Sequence, residues 1–406
     1  MISTLEQIHQ GKRYRLKDQD KALIYQEICT TPRCSRKTII RKLHIRPTTV
    51  SKIVRELIED GLVQETSERF QEAPGRAQVV LRPNPDRLTA VSITVQARQI
   101  RAVRLNITED VQEQYAESLP AEVFNEGFLE ACIRAYQAVT REVLSASEIL
   151  GIALSLVGTV DSFHNKWIST ARWRNIRDLN FESLEHRLQV PVMINRMQDA
   201  ELLYFIQKNP SYREKNILFV HWGFGIGASY ASRGRLLEST LGRTCEIGHL
   251  RISSSSTRQC QCGAYGCLET EAALWALQGK TPLVPEGILD EEELRHCFRE
   301  AFRKTDLETA LSRDHVMGNA LNQFCMALYN LIQVFYPDAV LFLGPVTENP
   351  YVFQQIVQYM KRELPSYAKD RVEFLVLPGG FRGCIRSSVY PFFQKRLETL
   401  LKVRSF

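Results

Sequence analysis

The sequence predicts an N-terminal winged helix-turn-helix followed by a larger α/β body. Basic residues are concentrated in the first 82 positions, where three helical patterns precede two candidate strands. Beyond Pro83 and Pro85, helical patterns alternate with apolar strands, as in α/β folds with largely buried sheets. Four ligands of the kind that bind zinc lie close together in the second half of the chain.

The composition is that of an ordinary globular protein. The chain has 406 residues, of which 44% are apolar and 24% charged. That length suits about two to four domains, and these fractions exclude disordered, collagenous and disulfide-scaffold proteins. No apolar run approaches the roughly 18 residues of a membrane span, and residues 1–10 lack the pattern of a secretory signal. We therefore expect a cytoplasmic protein that is not inserted in a membrane.

Net charge is distributed unevenly along the chain. The formal net charge is +6, and residues 1–82 carry all of it, with 16 basic and 10 acidic residues. Within this segment, residues 33–55 contain eight basic residues and no acidic one. A surface of this kind suits a polyanion such as nucleic acid.

Helical spacing within the basic segment predicts three helices. Asp20–Cys29 is the first, and Ser35 is placed to cap the second, Arg36–Leu43. Pro47 suits the first turn of the third helix, Pro47–Glu59, which has a regular apolar stripe. This order is typical of a helix-turn-helix.

Short polar and basic side chains occupy the other face of the third helix, where they would reach base edges and phosphates. Residues 62–65 and 78–81 are predicted strands around a polar loop, which would form a wing near the minor groove. Duplex DNA is the expected partner, the alternative being a small helical interaction module whose basic face is merely solvated. The predicted DNA-binding residues are Ser35, Arg36, Lys37, Arg46, Thr48, Thr49, Ser51, Lys52, Arg55 and Arg76.

The body is predicted from apolar strands that alternate with amphipathic helices. Pro83 and Pro85 indicate an inter-domain joint. Gly223, Gly225 and Gly227 form a glycine-rich loop after one of the strands. The predicted strands are 88–95, 99–105, 149–156, 190–194, 217–220 and 339–344, and the predicted helices are about 125–144, 181–188 and a segment from about 326.

The clearest chemical signal is an E-x-G-H segment, Glu246–His249, followed after ten residues by a C-x-C-G-x-x-G-C-x-E segment, Cys260–Glu269. Three thiolates and one imidazole complete a tetrahedral Zn²⁺ site and leave no open position for a catalytic water. The alternative is a set of unrelated buried cysteines and a core histidine. We predict one structural zinc per chain, held by His249, Cys260, Cys262 and Cys267.

These motifs resemble those of the ROK family, which groups sugar repressors and sugar kinases. The two zinc segments, the glycine loop and the late segment Tyr336–Gly344 occur in the family's order. The resemblance covers essentially the whole chain, because the family's repressors also begin with a winged helix-turn-helix. It implies a two-lobed actin-like ATPase fold, assembled as a homodimer or a dimer of dimers.

The resemblance also implies a division of the chain. Residues 1–82 would form the DNA-binding domain, and residues 83–196 with about 386–406 would form the first ROK lobe. Residues 197–385 would form the second lobe, with the zinc site and the dimerisation surface.

Departures from the family pattern separate a regulator from an enzyme. ROK kinases carry an Asp-x-Gly-Gly-Thr phosphate loop on the first hairpin, whereas the corresponding segment Ile93–Gln99 has no aspartate or glycine. The kinases' general base aligns with Met197, which has no proton-accepting group near neutral pH, although a two-residue slip would offer Asp199. We therefore expect no catalytic residue; the alternative is a ROK sugar kinase with a regulatory DNA-binding domain.

The resemblance places a sugar site at Gly158, Glu246, His249 and Glu269. A zinc-bound His249 would present its other ring nitrogen as a donor to a hydroxyl group. The family's Asn-Asp pair, which anchors two hydroxyls, is replaced by Arg196 and Met197. Arg196 would instead meet an anionic group such as a sugar phosphate, or be a cleft-edge arginine without a ligand.

Three functions remain open. The first is a DNA-binding regulator, a repressor of sugar uptake or metabolism genes, controlled by a sugar-type ligand. The second is a sugar kinase with an added regulatory domain, against which the altered kinase motifs argue. The third is a regulator controlled by a sequestering protein partner, as one family member is by a membrane sugar transporter.

Overall fold

The computed structural model describes residues 15–70, 77–143, 147–239, 244–288, 290–304 and 314–401. The N-terminal segment contains α1 (Leu16–Thr30), α2 (Arg36–Leu43), α3 (Pro47–Glu59), β1 (Val63–Phe70) and β2 (Gln78–Pro83). The predicted bounds of α2 and α3 are confirmed, whereas α1 and both strands extend beyond the predicted segments. The predicted wing residue Arg76 lies outside the described residues.

Local sequence explains how α2 and α3 begin and end. The Ser35 hydroxyl accepts a hydrogen bond from the Thr38 amide at the start of α2, at 3.1 Å. His44 ends α2 in the left-handed conformation, with a φ of 55°. Pro47 starts α3 at a position that needs no amide donor. The buried stripe of α3 consists of Val50, Ile53, Val54 and Leu57.

The first part of the body is a five-stranded sheet and a smaller three-stranded one. The spatial order of the larger sheet is β10-β6-β3-β4-β5, with β6 parallel to both β3 and β10. Strands β7, β8 and β9 form the separate antiparallel sheet. Along the chain the elements are β3 (Leu88–Gln96), β4 (Gln99–Asn106), β5 (Val111–Ser118), α4 (Asn125–Thr140), β6 (Glu148–Leu156), β7 (Thr159–Asp161), β8 (Lys166–Ser169), β9 (Arg177–Asn180), α5 (Glu182–Leu188) and β10 (Val192–Arg196).

The sequence analysis missed the strands that lack a regular buried face. Strand β5 is an edge strand in which every residue is exposed or half-buried, so no apolar alternation marks it. Strands β7, β8 and β9 are only three or four residues long, too short for a period to show. Helix α4 ends at Thr140, and the predicted end at Leu144 lies outside the described residues.

The second part of the body is built on another five-stranded sheet, in the order β13-β12-β11-β14-β15. The predicted strands within 217–220 and 339–344 are confirmed as β11 and β14. The described ranges contain no helix with both the length and the apolar character to span a membrane. The elements are α6 (Met197–Lys208), β11 (Asn216–Trp222), β12 (Ile226–Ser232), β13 (Arg235–Leu236), α7 (Leu268–Ala272), α8 (Leu274–Leu277), α9 (Glu291–Lys304), α10 (His315–Phe335), β14 (Ala339–Leu343), α11 (Pro350–Glu363), α12 (Ser366–Lys369), β15 (Glu373–Val376), α13 (Cys384–Ser387) and α14 (Tyr390–Leu400).

Strand β3 contributes alternate residues to two cores. Val91 and Ile93 pack in the core that contains α4, whereas Leu88 and Ala90 pack in a second core. This second core is continuous from α1 through the first sheet to Leu397 of α14. The N-terminal domain is therefore joined to the body by shared apolar packing and not by a linker alone.

The ends of several strands meet around α6. Helix α6 follows β10 directly and packs against β6, β11 and β12. Strand β6 continues into Val157 and Gly158, and the β11–β12 hairpin carries the glycine loop Gly223–Gly227. Ligands usually bind at the carboxyl ends of strands in α/β folds, so a ligand site is expected around α6. The division at residues 82, 196 and 385 stays a prediction.

Candidate functional site

The face of α3 opposite its buried stripe is open to solvent. Thr49 on this face is half-buried. In DNA complexes, hydroxyl side chains and the cationic side chains of lysine and arginine contact base edges and phosphates. The structure leaves most of the predicted set accessible to a duplex. The exposed members of the predicted DNA-binding set are Lys37, Arg46, Thr48, Ser51, Lys52 and Arg55.

Two other members of the set are engaged within the domain. Ser35 is only 2% exposed, and its hydroxyl contacts Thr38 and Gln78 as the cap of α2. Capping holds this hydroxyl away from solvent, so the structure adds no support to a contact between Ser35 and DNA, which stays a prediction. Arg36 is half-buried and ion-paired with Glu65 of β1.

A buried ion pair fixes α3 against α1. The Nζ atom of Lys21 lies 3.1 Å from Asp60 and 3.3 Å from Glu56, and the lysine side chain is fully buried. Glu56 is in the last turn of α3, and Asp60 follows the helix directly. An ammonium group buried without partners would be costly, so this contact holds the exposed face of α3 in position.

The four predicted zinc ligands converge. Their ligand atoms all lie within 4.8 Å of one another. Cys262 Sγ is 3.7 Å from Cys267 Sγ, and Cys260 Sγ is 3.5 Å from His249 Nδ1. A tetrahedral zinc with sulfur bonds of about 2.3 Å has sulfur–sulfur edges of roughly 3.8 Å. The donor set and its spacing therefore fit a zinc ion, with His249 as an Nδ1 ligand.

Gly266 shapes the turn between the cysteines. Its φ is 74°, and a Cβ there would lie 1.9 Å from the carbonyl oxygen of Ser253. The Cys260 amide donates to the Ala264 carbonyl at 2.8 Å and closes the preceding turn. Only glycine fits this close approach, which brings Cys267 back toward the other ligands.

A polar cavity of about 100 Å3 lies beside the zinc cluster. Its wall includes Gly158, Glu246, His249 and Glu269, so the structure brings these predicted ligand residues together. Gly158 has a φ of 92°, and a Cβ there would lie 2.4 Å from the Ser169 carbonyl oxygen. A glycine is therefore required where the backbone forms this part of the wall.

The cavity offers both acceptors and a donor. His249 Nε2 lies 4.0 Å from Glu246 Oε2. The Glu269 carboxylate accepts hydrogen bonds from the Ile226 amide at 2.7 Å and from Trp275 Nε1. Burial raises the pKa of Glu269 in spite of these hydrogen bonds. Carboxylate oxygens beside an imidazole suit hydroxyl groups.

Arg196 is engaged within the protein. It is 4% exposed, and its Nε and Nη2 atoms donate to the two oxygens of Asp199 at 3.0 and 2.9 Å. Nη2 also donates to the Ala228 carbonyl at 2.7 Å, and Nη1 donates to the Thr244 carbonyl. Arg196 also lines the polar cavity, where its bidentate pair with Asp199 already compensates the guanidinium charge. Contact between Arg196 and an anionic ligand stays a prediction.

Sequence analysis missed three ionisable residues of the cavity wall, Arg172, His221 and Glu291. Glu291 Oε2 lies 3.0 Å from His221 Nε2, and Glu291 Oε1 accepts a hydrogen bond from the Phe224 amide at 3.0 Å. Burial acts to raise the pKa of Glu291, but the charges of His221 and Arg172 and these hydrogen bonds lower it to about 2. None of the three belongs to a motif, so no local signal marked them.

Comparison with known families assigns both parts of the chain. Residues 92–379 match the ROK family model, and residues 21–64 match a winged helix-turn-helix DNA-binding model. The chain belongs to the ROK family. The predicted family and the predicted fold class are thereby confirmed.

Relatives of this ROK chain include named regulators. It is 26% identical to the putative xylose repressor of Caldicellulosiruptor sp. (strain Rt8B.4), over 93% of this chain and 96% of that protein. It is 23% identical to the DNA-binding transcriptional dual regulator NagC of Escherichia coli (strain K12), over 84% of each. The crystal structure of a ROK family transcriptional regulator, a homolog of E. coli MLC, aligns with a TM-score of 0.65 at 19% identity, over 95% of this chain and 98% of that chain. That likeness shows the shared fold.

In this ROK body a larger cavity, of about 530 Å3, adjoins the polar cavity, and Arg172 lines both of them. Its wall includes Met197 and the β3–β4 turn at Gln96 and Ala97. Asp199, the base offered by a shifted alignment, lines a third cavity of about 330 Å3. Asp199 is not among the described residues that line the polar cavity or the larger cavity.

Proposed function

We propose that this protein is a DNA-binding transcriptional repressor of sugar uptake or metabolism genes. The observation that carries the proposal is the exposed hydroxyl and basic face of α3, within a winged helix-turn-helix joined to a ROK body. Relatives named as a xylose repressor and as NagC match over most of their length, which supports the same role here. The N-terminal domain would bind an operator, and the body would set its affinity.

Operator binding would involve two copies of the chain. Helix-turn-helix dimers meet successive half-sites about 34 Å apart, or a multiple of that distance. We propose that a homodimer, or a dimer of dimers, presents two α3 helices at this spacing. The exposed Lys52 and Arg55 would then lie near phosphates.

The body is proposed to bind ligands without phosphorylating them. Met197 is fully buried at the position that the resemblance assigns to the kinases' general base, and a thioether cannot take a proton from a hydroxyl. Asp199 is held by Arg196 and by the Ser229 hydroxyl at 2.6 Å. The β3–β4 turn has no glycine at which the backbone could close on a phosphate. Phosphoryl transfer needs both a nucleotide cradle and a positioned base.

The proposed effector site is the polar cavity beside the zinc cluster. A Zn²⁺ ion held by His249 and the three cysteines would have four protein ligands and hence a structural role. Zinc at Nδ1 would leave Nε2 of His249 protonated and directed at the cavity, where Glu246 lies 4.0 Å away. This donor, together with Glu246 and Glu269 as acceptors, suits a sugar-type ligand.

Control by a sequestering protein partner is the second candidate. The volume of the polar cavity, about 100 Å3, is small beside the roughly 300 to 1,000 Å3 of typical ligand pockets. A cavity of this size would have to widen, by separation of the two five-stranded sheets, to hold a sugar. If it does not widen, control by a protein that contacts the outer surface is favoured.

The test combines three measurements on the full chain: selection from a random duplex library, operator affinity in the presence of D-xylose, N-acetylglucosamine or D-glucose, and ATP-dependent phosphorylation of these sugars. We expect a selected sequence with two half-sites, and phosphorylation at background. An operator affinity that responds to one sugar supports ligand control, and one that responds to none supports a protein partner. Absence of any preferred duplex contradicts the regulator, and phosphorylation at ordinary kinase rates would establish the kinase alternative.

A further inference from the structure

Three arginines of the N-terminal domain are paired with glutamates of strand β1. Glu68 lies between two of them, with Oε1 2.9 Å from Arg33 Nε and Oε2 2.6 Å from Arg82 Nη2. Glu65 Oε1 is the partner of Arg36 Nη1. We call these side chains the β1 arginine cluster. Arg36 belongs to the predicted DNA-binding set, whereas Arg33 and Arg82 do not.

The cluster lies at the start of the helix-turn-helix. Arg36 is the first residue of α2. The Leu81 amide donates a hydrogen bond to the Cys34 carbonyl oxygen at 2.8 Å, which brings the chain at Arg33 alongside β2 and its residue Arg82. The loop before α2, the first turn of α2 and strand β2 therefore present the three guanidinium groups together.

Arg33 has an uncommon backbone conformation. Its φ is 51°, in the left-handed region, which costs more for an arginine than for a glycine. The side chain is 68% exposed and extends to Glu68 at the surface. Strained positions of this kind are often found where a side chain binds a ligand, so the guanidinium of Arg33 is a candidate for such a contact.

The glutamates of the cluster compensate a basic surface that has no acidic residue of its own. Residues 33–55 contain eight basic residues and no acidic one. Acidic partners reach this run from β1 and from α1, where Glu27 lies 2.7 Å from Lys42. Ion pairs that are partly exposed to water contribute little to stability, because solvent and salt screen them. The arginines can therefore be released at low cost.

The chemistry of the guanidinium group suits an exchange of partners. Its planar fork of N–H donors matches the oxygens of a carboxylate and those of a phosphate equally well. Duplex DNA presents about one negative charge per 1.7 Å of its axis, and cations that bind it release condensed counterions. An array of phosphates should therefore compete successfully with a single exposed carboxylate.

We propose that Arg33, Arg36 and Arg82 bind phosphates of the DNA backbone, and that Glu65 and Glu68 compete with those phosphates for the arginines. In the free protein the glutamates hold the guanidinium groups. On the duplex the arginines turn to phosphates, and the glutamates stay hydrated at the edge of the interface. The glutamates thereby lower the affinity of the domain for duplexes of any sequence. This inference rests on the proposed DNA binding and adds a second phosphate-binding surface to that of α3.

The experiment measures the affinity of the full chain for a random-sequence duplex, by fluorescence anisotropy over a range of salt concentrations. Glu68→Gln keeps the side-chain size and removes the competing charge, so the duplex should bind roughly two- to fivefold more tightly. The double variant Arg33→Gln, Arg82→Gln should bind more weakly, and its log affinity should fall with log salt less steeply by roughly 1 to 2. The matched control is Glu117→Gln, since Glu117 pairs with Arg134 in the first sheet of the body and has a similar exposure. It should bind as the wild type does.

A double-mutant cycle separates competition from general repulsion. If Glu68 competes for Arg33 and Arg82, replacing it should give no gain once both arginines are replaced. An equal gain in both backgrounds would show that the glutamate acts through overall charge, and it would overturn the proposal. Unchanged affinity in Glu68→Gln would also overturn it. Circular dichroism checks folding, and if the arginine double variant does not fold, Arg33→Lys, Arg82→Lys should weaken binding severalfold, because it keeps the charges but loses the planar forks.

Neutral phosphates give an independent readout. In a series of operator duplexes, one phosphate at a time is replaced by an uncharged methylphosphonate. The wild type should lose affinity at one or more positions where the variant Arg33→Gln, Arg82→Gln loses none. A series without such a position contradicts a contact between these arginines and the backbone.

The outcomes distinguish this inference from the proposed function. Binding that responds to Glu68→Gln but shows no preferred sequence supports the phosphate contact and contradicts the repressor. A preferred sequence whose affinity does not depend on Glu68, Arg33 or Arg82 supports the repressor and contradicts the phosphate contact.

Discussion

Arg87 and Glu148 form an ion pair at the joint between the N-terminal domain and the first sheet of the body, with Nη1 of Arg87 3.2 Å from Oε2 of Glu148. The same guanidinium donates through Nε to the carbonyl oxygen of Asp60, directly after α3, at 3.2 Å. Glu148 begins β6, and the other end of β6 leads to Gly158 in the wall of the polar cavity. One strand therefore connects the C-terminal end of α3 with the candidate effector site.

We expect Arg87→Met to loosen the C-terminal end of α3. Glu148 keeps a second partner, Arg396 at 2.9 Å, so the loss of unfolding free energy should be about 1 kcal/mol. Denaturant unfolding measures this loss, and amide exchange near Asp60 should become faster. The matched control is Arg82→Met, since Arg82 pairs with Glu68 inside the wing hairpin. Equal exchange near Asp60 in both variants would contradict the anchoring role.

The double variant Lys52→Ala, Arg55→Ala should weaken binding to all duplexes. Log affinity falls with log salt, and each phosphate contact adds roughly 0.9 to the steepness of this fall. In the double variant the fall should therefore be shallower by roughly 1 to 2. Fluorescence anisotropy over a range of salt concentrations measures it. Lys361→Ala, Arg362→Ala removes two exposed basic residues from α11 and should leave the slope unchanged. An unchanged slope in the first variant would remove α3 from the interface.

Elemental analysis should find one zinc per chain. Cys262→Ser should lose it, because the exposed Cys262 is one of four converging ligands and its replacement leaves the core intact. Chelation should lower the thermal stability, since the binding free energy of a structural zinc is partly folding free energy. Cys297→Ser, which alters a cysteine of α9 outside the cluster, should retain zinc. A protein without zinc, or one with a reducible disulfide among these cysteines, contradicts the assignment.

Met197→Asp should not create a sugar kinase. A general base is worth about 10² to 10⁴ in rate, but the phosphate loop would still be absent from the β3–β4 hairpin. A coupled ATPase assay with the sugar panel measures turnover, which should stay at background in both proteins. Turnover in the variant alone would show that a nucleotide site is intact. Turnover in the wild type would contradict the prediction and would indicate Asp199 as the general base.

Glu291 should make stability depend on pH in the acidic range. Its pKa is lowered from 4.5 to about 2, so its contribution is complete above 4.5 and is lost as the pH falls toward 2. The size of this contribution is on the order of 3 kcal/mol. The groups that face the carboxylate are His221 and Arg172, with Asp290 and Glu292 next to it in the chain. The unfolding free energy of Glu291→Gln should therefore vary less than that of the wild type below about pH 5, and parallel curves would reject the contribution.

The parts of the structure that sequence predicts well depend on local signals. The bounds of α2 and α3 follow from a serine cap, a proline in the first turn and a regular apolar stripe, all within a few residues of the helix ends. The zinc ligands were found because three of them fall within eight positions. Glu246, His249 and Glu269 of the polar cavity belong to the same two motifs.

The parts that sequence does not predict depend on contacts between distant segments. Arg172, His221 and Glu291 come from three segments that are far apart in the chain, and only the tertiary fold brings them together. The contact of Arg196, in contrast, is local. Asp199 lies three residues away at the start of α6, and this spacing alone allows an ion pair between the two side chains. Ser35 is predicted both to cap α2 and to contact DNA, and the structure shows the cap.

The core shared by α1, the first sheet and α14 also has a consequence for protein synthesis. Leu397 joins the same apolar cluster as Leu81 but is made about 300 residues later. At about 5 to 20 residues per second, the ribosome needs roughly 15 to 60 s to reach it. During that interval the nascent DNA-binding domain lacks part of the packing on which it rests. The segment that is translated first is therefore completed last, and a prematurely terminated chain would not carry a fully stable operator-binding domain.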